Sequence, residues 1–281
     1  MPALWRGRRA GTLPGFRLTL GFTLLYIGLM VLLPLAALVL KTFGLTWSEF
    51  WVTISSPRAL AAYRLSFGGA FLAAAINAVA GLLLSWVLVR YQFIGRNLVD
   101  AIIDLPLALP TAVAGIALTA VYAPNGVVGA LLERHGIHVA FSYPGVVLAM
   151  VFVGLPFAVR SVQPVLMDLN PQIEEAAVVL GASRVRTFLR VILPVLTPSV
   201  ITGFTLAFAR AVGEYGSVVF ISGNLPGQTE IVPLLIVTKL EQFQYPQATA
   251  LAVVMLVGSL ITLLVVNFLQ AWNRRWASHG T

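Results

Sequence analysis

The chain has 281 residues, of which 59% are hydrophobic and only 10% charged, against about 25% charged in an ordinary globular protein. That balance excludes a soluble enzyme and a disordered basic tail. The formal charge of +8 does not make a nucleic-acid binder, because the basic residues form no stripe and sit in short segments between long apolar runs. There is no cysteine, which removes disulfides, thiolate chemistry and cysteine metal sites.

In chain order, residues 1–17 carry Arg6, Arg8, Arg9 and Arg17 ahead of an apolar run too long for a cleavable signal. They read as a cytoplasmic N-terminal segment before a retained first helix. A helix needs about 20 apolar residues to cross a bilayer. Intervals free of acidic and basic residues predict six crossings, over 18–40, 65–89, 105–132, 137–159 and 191–209, with the sixth centred on 248–268. Backbone groups inside lipid must pair internally, so the fold class is all-α and polytopic, with Pro34, Pro106, Pro110, Pro156 and Pro198 expected at kinks or ends. Asp104, at the start of the third crossing, is expected at the membrane boundary. The stretch 215–238, interrupted by Gly216, Gly223, Pro226, Gly227 and Glu230, reads as a re-entrant or outer-face loop with a short helix. With the N-terminus inside, twelve Lys and Arg residues fall on inner segments and five on outer ones, which places both termini in the cytoplasm. The chain thus divides into the segment 1–17, one transmembrane domain over 18–273 with a long inner loop at 160–190, and a cytoplasmic tail at 274–281.

Within that loop, Asn170 is a good N-cap and Pro171 suits the first helical position. Glu174 and Glu175 complement the dipole of a helix that begins there. Gly181 can take the left-handed conformation that stops it, and Ser183 can cap the next helix. Ile173, Ala176, Ala177 and Leu180 recur at helical spacing and predict one apolar face. Such a helix could rest on headgroups, but its acidic first turns would then meet an anionic leaflet. The other reading is a knob that docks into a groove of a cytoplasmic partner, with its alanines permitting close approach.

Further along, Arg210 and Glu214 stand four residues apart in the outward half of the fifth crossing. Charges at that depth face a bundle interior or an aqueous cavity. They predict either a mutually neutralising pair that locks the helix end, or an outer mouth where Arg210 draws in an oxyanion and Glu214 positions it, with Gly213 at the gate. His135 and His138 share an outer loop without a carboxylate pair, so no metal site is expected. Only two lysines exist, after Leu40 and Thr238, and neither ends a glycine-rich phosphate loop. ATP hydrolysis, if any, belongs to another chain.

The run Glu175-Ala176-Ala177, then Gly181, then Val191-Ile192-Leu193-Pro194 resembles the EAA motif of permease subunits in bacterial ABC importers. Isoleucine is usual in that family where Val191 stands here. Asp104-Leu105-Pro106-Leu107-Ala108-Leu109-Pro110-Thr111-Ala112-Val113-Ala114-Gly115, Arg160-Ser161-Val162-Gln163-Pro164-Val165-Leu166 and Ala209-Arg210-Ala211-Val212-Gly213-Glu214-Tyr215-Gly216 are similar to the sulfate/molybdate branch. The Val-Gln-Pro-Val-Leu run and the additional first span are similar to T-type sulfate/thiosulfate permeases. The resemblance implies a type I importer permease fold in a bacterial inner membrane. It also implies a coupling helix formed by Glu174, Glu175, Ala176, Ala177, Leu180, Gly181 and Ala182 that inserts into an ATP-binding subunit. Its partners would be a pair of such subunits holding ATP and magnesium, a second permease of the W type, a periplasmic sulfate-binding protein and membrane lipids. No cofactor is expected on this chain itself. Two other classes remain open at this point. A molybdate or tungstate importer would share the motifs. A gradient-driven secondary transporter would show repeated halves and mid-span acidic groups, and neither is evident. A membrane-embedded enzyme lacks a nucleophile, base and metal constellation.

Overall fold

A computed structural model describes residues 16–277, with the side chains of Arg17 and of 269–277 left aside. Residues 1–15 of the expected N-terminal segment and 278–281 of the expected C-terminal tail therefore lie outside the described residues, whereas 16–17 and 274–277 belong to the first and last helices. Every regular element in the described residues is helical. Among the described residues five helices are long and apolar enough to cross a bilayer, and a bent helix pair supplies a sixth crossing when counted as one span.

The first crossing, Leu18–Thr42, joins α1 (Phe16–Ile27) to α2 (Leu33–Thr42) through a π-helical turn at Gly28–Leu32. None of its most apolar window is buried in the protein, whereas 61% of the corresponding window in Tyr143–Asp168 is. It is a peripheral helix that leans on the last one and is otherwise left uncovered by this chain. A short α3 (Trp47–Ile54) follows, then α4 (Pro57–Arg90). Ser56 starts α4 by accepting a hydrogen bond from the Ala59 N–H, with Pro57 in the first turn.

The third crossing departs from the single stretch expected over 105–132. It is α5 (Arg96–Ala108) and α6 (Thr111–Tyr122), bent by 117° at Leu109–Pro110. Pro110 has no N–H to continue a helix and biases Leu109 to the extended conformation it adopts. After α7 (Gly129–Glu133), the fourth crossing, α8 (Tyr143–Asp168), begins later than the expected 137 and continues beyond 159 through Arg160. The reason lies in Arg160's partners, described below. Next come α9 (Pro171–Val179), α10 (Arg184–Thr187), a π-helical turn at Phe188–Ile192, and α11 (Leu193–Val212). The interrupted stretch after it contains two helices, α12 (Gly216–Ile221) and α13 (Val232–Glu241), before α14 (Tyr245–Ala277).

The core is the packing of α4, α8 and α11 on one another. Its contact surface is rich in small side chains, including Ala70, Ala73, Ala74, Ala149, Ala207 and Ala211. These permit the close backbone approach on which helix association in lipid depends. Two polar side chains of α4 reach α8 at the same register: Asn77 Nδ2 donates to the Val151 carbonyl at 3.1 Å, and Ser85 Oγ to the Val159 carbonyl at 3.2 Å. The matching order shows that α4 and α8 run in the same direction. Each carbonyl lies in the turn weakened by a following proline, Pro156 or Pro164. The donors from α4 thus hold α8 one residue before each carbonyl that a proline leaves without its helical N–H, Phe152 and Arg160, without replacing the missing bonds.

Candidate functional site

At the end where α4 and α8 finish, α9 projects from the bundle with the caps its sequence predicts. Asn170 Oδ1 accepts the Gln172 N–H at 3.0 Å, and Ser183 Oγ accepts the Arg186 N–H at 3.4 Å. Gly181 sits at φ +80°, and Ala182 N–H closes onto the Ala177 carbonyl at 3.0 Å. The expected apolar face does not form as one surface. Ala177 is buried against its own chain, while Ile173 and Ala176 are exposed. Leu180 is already in the cap, so it leaves the helical register. The surface left bare is Val178, Val179 and Leu180, the last two 86% and 87% exposed. Glu175 and Gly181 are exposed beside it, and Ala182 is half-buried.

Sequence reasoning missed what holds this helix. Glu174 accepts a hydrogen bond from Arg90, the last residue of α4. The Arg90 guanidinium lies 5.7 Å from the Trp86 ring centroid, and Trp86 meets Phe188 edge-on at 5.3 Å. Phe188 opens the π-helical turn that leads into α11. Beneath them Leu166, Leu169, Ile192 and Leu196 form a buried cluster. One short exposed helix is therefore tied to two crossings, by an ion pair to α4 and by its chain to α11.

A second cluster joins two of the sequence motifs. Asp100 and Asp104, one turn apart on α5, both face Arg160 of α8. Arg160 Nε donates to Asp104 Oδ1 at 2.9 Å and Nη1 to Asp100 Oδ1 at 2.7 Å, with Gln163 alongside. A guanidinium satisfied by two carboxylates can remain within a helix where an unpaired one could not. That is why α8 does not stop at Val159, and why Asp104 is half-buried and paired.

Toward the opposite end, α11 stops at Val212, so Glu214 lies in the break before α12 and not on a helix face shared with Arg210. The pair still forms, from Arg210 Nη1 to Glu214 Oε2. Glu214 is 2% exposed. Its other oxygen accepts the Ser217 N–H at 2.8 Å and Ser217 Oγ at 2.9 Å. One carboxylate thus neutralises Arg210 and satisfies a free N–H at the start of α12. The break is wedged against α6. A Cβ on Gly115 would come within 2.5 Å of the Ser217 carbonyl oxygen, and one on Gly216 within 3.1 Å of the Ala112 nitrogen. A Cβ on Gly213 would meet nothing within 4 Å, so this conformation does not demand glycine there. Nearby, Arg58 at the start of α4 makes a two-pronged bond to the buried Glu230, at 2.7 and 2.6 Å. His138 Nδ1 sits 2.9 Å from Glu133 Oε2, a carboxylate neighbour the sequence reading did not credit. No group of three metal-ligating side chains occurs among the described residues.

Residues 77–279 match the family of binding-protein-dependent transport system inner membrane components. Among curated relatives, the sulfate transport system permease protein CysT of Salmonella typhimurium is 46% identical over 268 residues, covering 95% of this chain and 97% of that one. The protein of the same name from Synechocystis is 49% identical over 256 residues, covering 91% and 90%. Among solved structures, a bacterial ABC transporter involved in the import of the acidic polysaccharide alginate superposes with a TM-score of 0.75 at 18% identity, over 91% of this chain and 94% of that one.

Proposed function

This chain belongs to the binding-protein-dependent transport system inner membrane components, and we propose that within them it is the permease subunit of a sulfate or thiosulfate importer. The substrate is carried over from the names of its relatives. The mechanism rests on one observation: α9 exposes Val178, Val179 and Leu180 to a partner while Arg90 and Phe188 bind its base to α4 and α11. In this reading α9 faces the cytoplasm of a bacterial inner membrane, with both termini on that side, and seats in an ATP-binding subunit. A pair of such subunits holds ATP and magnesium. A second permease of the W type completes the pore, and a periplasmic sulfate-binding protein delivers the anion at the opposite end. The ATPase pair closes on ATP and moves α9, and the rigid tethers pass that displacement to α4 and α11. This chain performs no chemistry itself.

At the outer end Arg210 is only partly committed to Glu214 and keeps about a third of its side chain exposed, 32%. A guanidinium has further N–H donors suited to an oxyanion. Arg210 therefore attracts the substrate, while Glu214 and the junction at Gly213 hold it in place. Arg210→Ala alone leaves the buried Glu214 without its cation, so it is combined with Glu214→Gln: the double variant should assemble and lose most transport, and unaltered transport would end that assignment.

The broader reading is tested by purifying the tagged chain from its native membrane in mild detergent beside a Gly181→Asp variant. An ATP-binding subunit and a second permease should accompany the native chain, with the ATP-binding subunit lost from the variant. A native chain that emerges without any ATP-binding subunit would defeat the proposal.

A further inference from the structure

The link between the first two crossings carries a concentrated aromatic surface apart from the sites described above. Trp47, Phe50 and Trp51 of α3 pack on one another, with Trp47–Phe50 stacked at 6.0 Å and Trp47–Trp51 edge-on at 5.7 Å. They do so without entering the protein core. Trp47 is 74% and Trp51 49% exposed. Neither indole N–H has a hydrogen-bond partner among the described residues. Around them stand further exposed aromatics at the same end of the bundle: Phe43, just after α2, and Phe243 and Tyr245, at the start of α14. A Cβ on Gly44 would lie 3.5 Å from Pro246 Cγ, so the two groups adjoin.

We propose that this surface is an interfacial anchor seated in the ester and headgroup zone of the leaflet at the Pro57 end of the bundle. Three observations favour lipid over a protein occupant. α3 lies between the residue where one crossing ends, Thr42, and the residue where the next begins, Pro57, so its height is that of the membrane boundary. Its one charge, Glu49, is turned into the capping box, where Oε2 accepts the Thr46 N–H at 2.8 Å and Thr46 Oγ1 at 2.7 Å. The aromatic face is thus left free of charge. Large rings with an unpaired N–H are the side chains suited to a zone that is apolar on one side and wet on the other. The anchor also has mechanical work to do. The first crossing has none of its apolar window buried in this chain, so an anchor at its end adds to what sets its depth.

The test uses the full chain in vesicles of phosphatidylcholine and phosphatidylglycerol, beside a Trp47→Phe, Trp51→Phe variant that retains aromatic bulk. The difference in tryptophan emission between the two isolates this pair. Quenching is compared for lipids brominated near the ester end of the acyl chain, lipids brominated near the methyl end, and aqueous acrylamide. The expected result is quenching by the ester-end bromines roughly twofold stronger than by the methyl-end bromines, with little effect of acrylamide. Strong acrylamide quenching without lipid quenching would overturn the proposal in favour of a water-facing surface. Quenching mainly by the methyl-end bromines would place α3 in the hydrocarbon core, and quenching by none of the three would mean protein covers it; either also refutes the anchor. None of these outcomes depends on sulfate, ATP or a partner subunit.

Discussion

Replacing Gly115 by alanine is the sharpest perturbation of the junction that holds Glu214. The new Cβ would lie 2.5 Å from the Ser217 carbonyl oxygen and 2.7 Å from its Cα. Ordinary contacts at such atoms begin near 3.4 Å, and backbone cannot rotate away as a side chain can. Segment α12 must therefore retreat by about 1 Å, taking the Ser217 N–H from the Glu214 carboxylate. Overpacking of this kind costs about 1–3 kcal/mol, and alanine in a helix returns about 0.5–1 kcal/mol relative to glycine. The clash wins, for a net loss of about 1–2 kcal/mol, a factor of roughly 5–30 in the population of the intact state. Gly213→Ala supplies the control. Its Cβ meets nothing and its φ of −88° suits any residue, so stability should hold or rise by about 0.4–1 kcal/mol. Thermal unfolding of the detergent-purified chains should place Gly115→Ala about 2–6 °C below the native protein. Transport in vesicles should fall with it. Equal midpoints for the Gly115 and Gly213 variants would refute the packing described for α6 and α12.

Arg90→Ala removes the Glu174 pair and the contact with Trp86, whose side chains are partly solvated, Arg90 being 20% and Glu174 27% exposed. Screening limits the loss to about 1 kcal/mol, so sulfate moved per ATP should fall about fivefold while the assembled complex still hydrolyses ATP; unchanged stoichiometry would remove Arg90 from the tether. Arg58→Met strands the buried Glu230 carboxylate, and because Arg58 itself is 40% exposed the cost is put at about 1–3 kcal/mol, below that of a fully buried pair. Adding Glu230→Gln should recover most of the lost melting midpoint, and a double variant no better than the single would contradict the pairing. Ser85→Ala should cost only about 0.6 kcal/mol, and a loss of several kcal/mol in the same unfolding assay would show that the brace on α8 is misjudged. The Thr46 N–H and hydroxyl hold the Glu49 carboxyl below its usual value, so the α3 capping box is complete above the ordinary carboxylate range and opens as pH falls through the lowered value. Amide-exchange protection in α3, measured against the intrinsic rate at each pH, should therefore fall on acidification in native protein but show no such step in Glu49→Gln.

Much of this architecture is legible because membrane helices obey simple constraints. Intervals without acidic or basic residues mark the crossings, and the termini of α9 follow from Asn170, Pro171, Gly181 and Ser183 through local hydrogen bonding. The failures share a cause. The charge-interval rule treats each charge as a boundary, so it ended the fourth crossing before Arg160. It could not know that Asp100 and Asp104, on another helix, neutralise that residue. A continuous apolar run likewise concealed the turn at Leu109–Pro110, although the proline was a signal. Glu174 reads as a dipole-complementing acid, and only tertiary structure brings it to Arg90 across 84 residues of sequence. The exposed face of α9 shifted because Leu180 falls in the cap, a one-residue matter that periodicity cannot resolve.

The central claim is best tested by reconstituting the chain in vesicles with its ATP-binding pair, second permease and sulfate-binding protein, and measuring radiolabelled sulfate uptake with ATP inside or outside. The account predicts uptake that requires ATP on the α9 side and binding protein on the other, and that disappears with an ATPase-dead partner. Uptake by the chain without the ATP-binding pair, driven by an imposed ion gradient and indifferent to ATP, would contradict it.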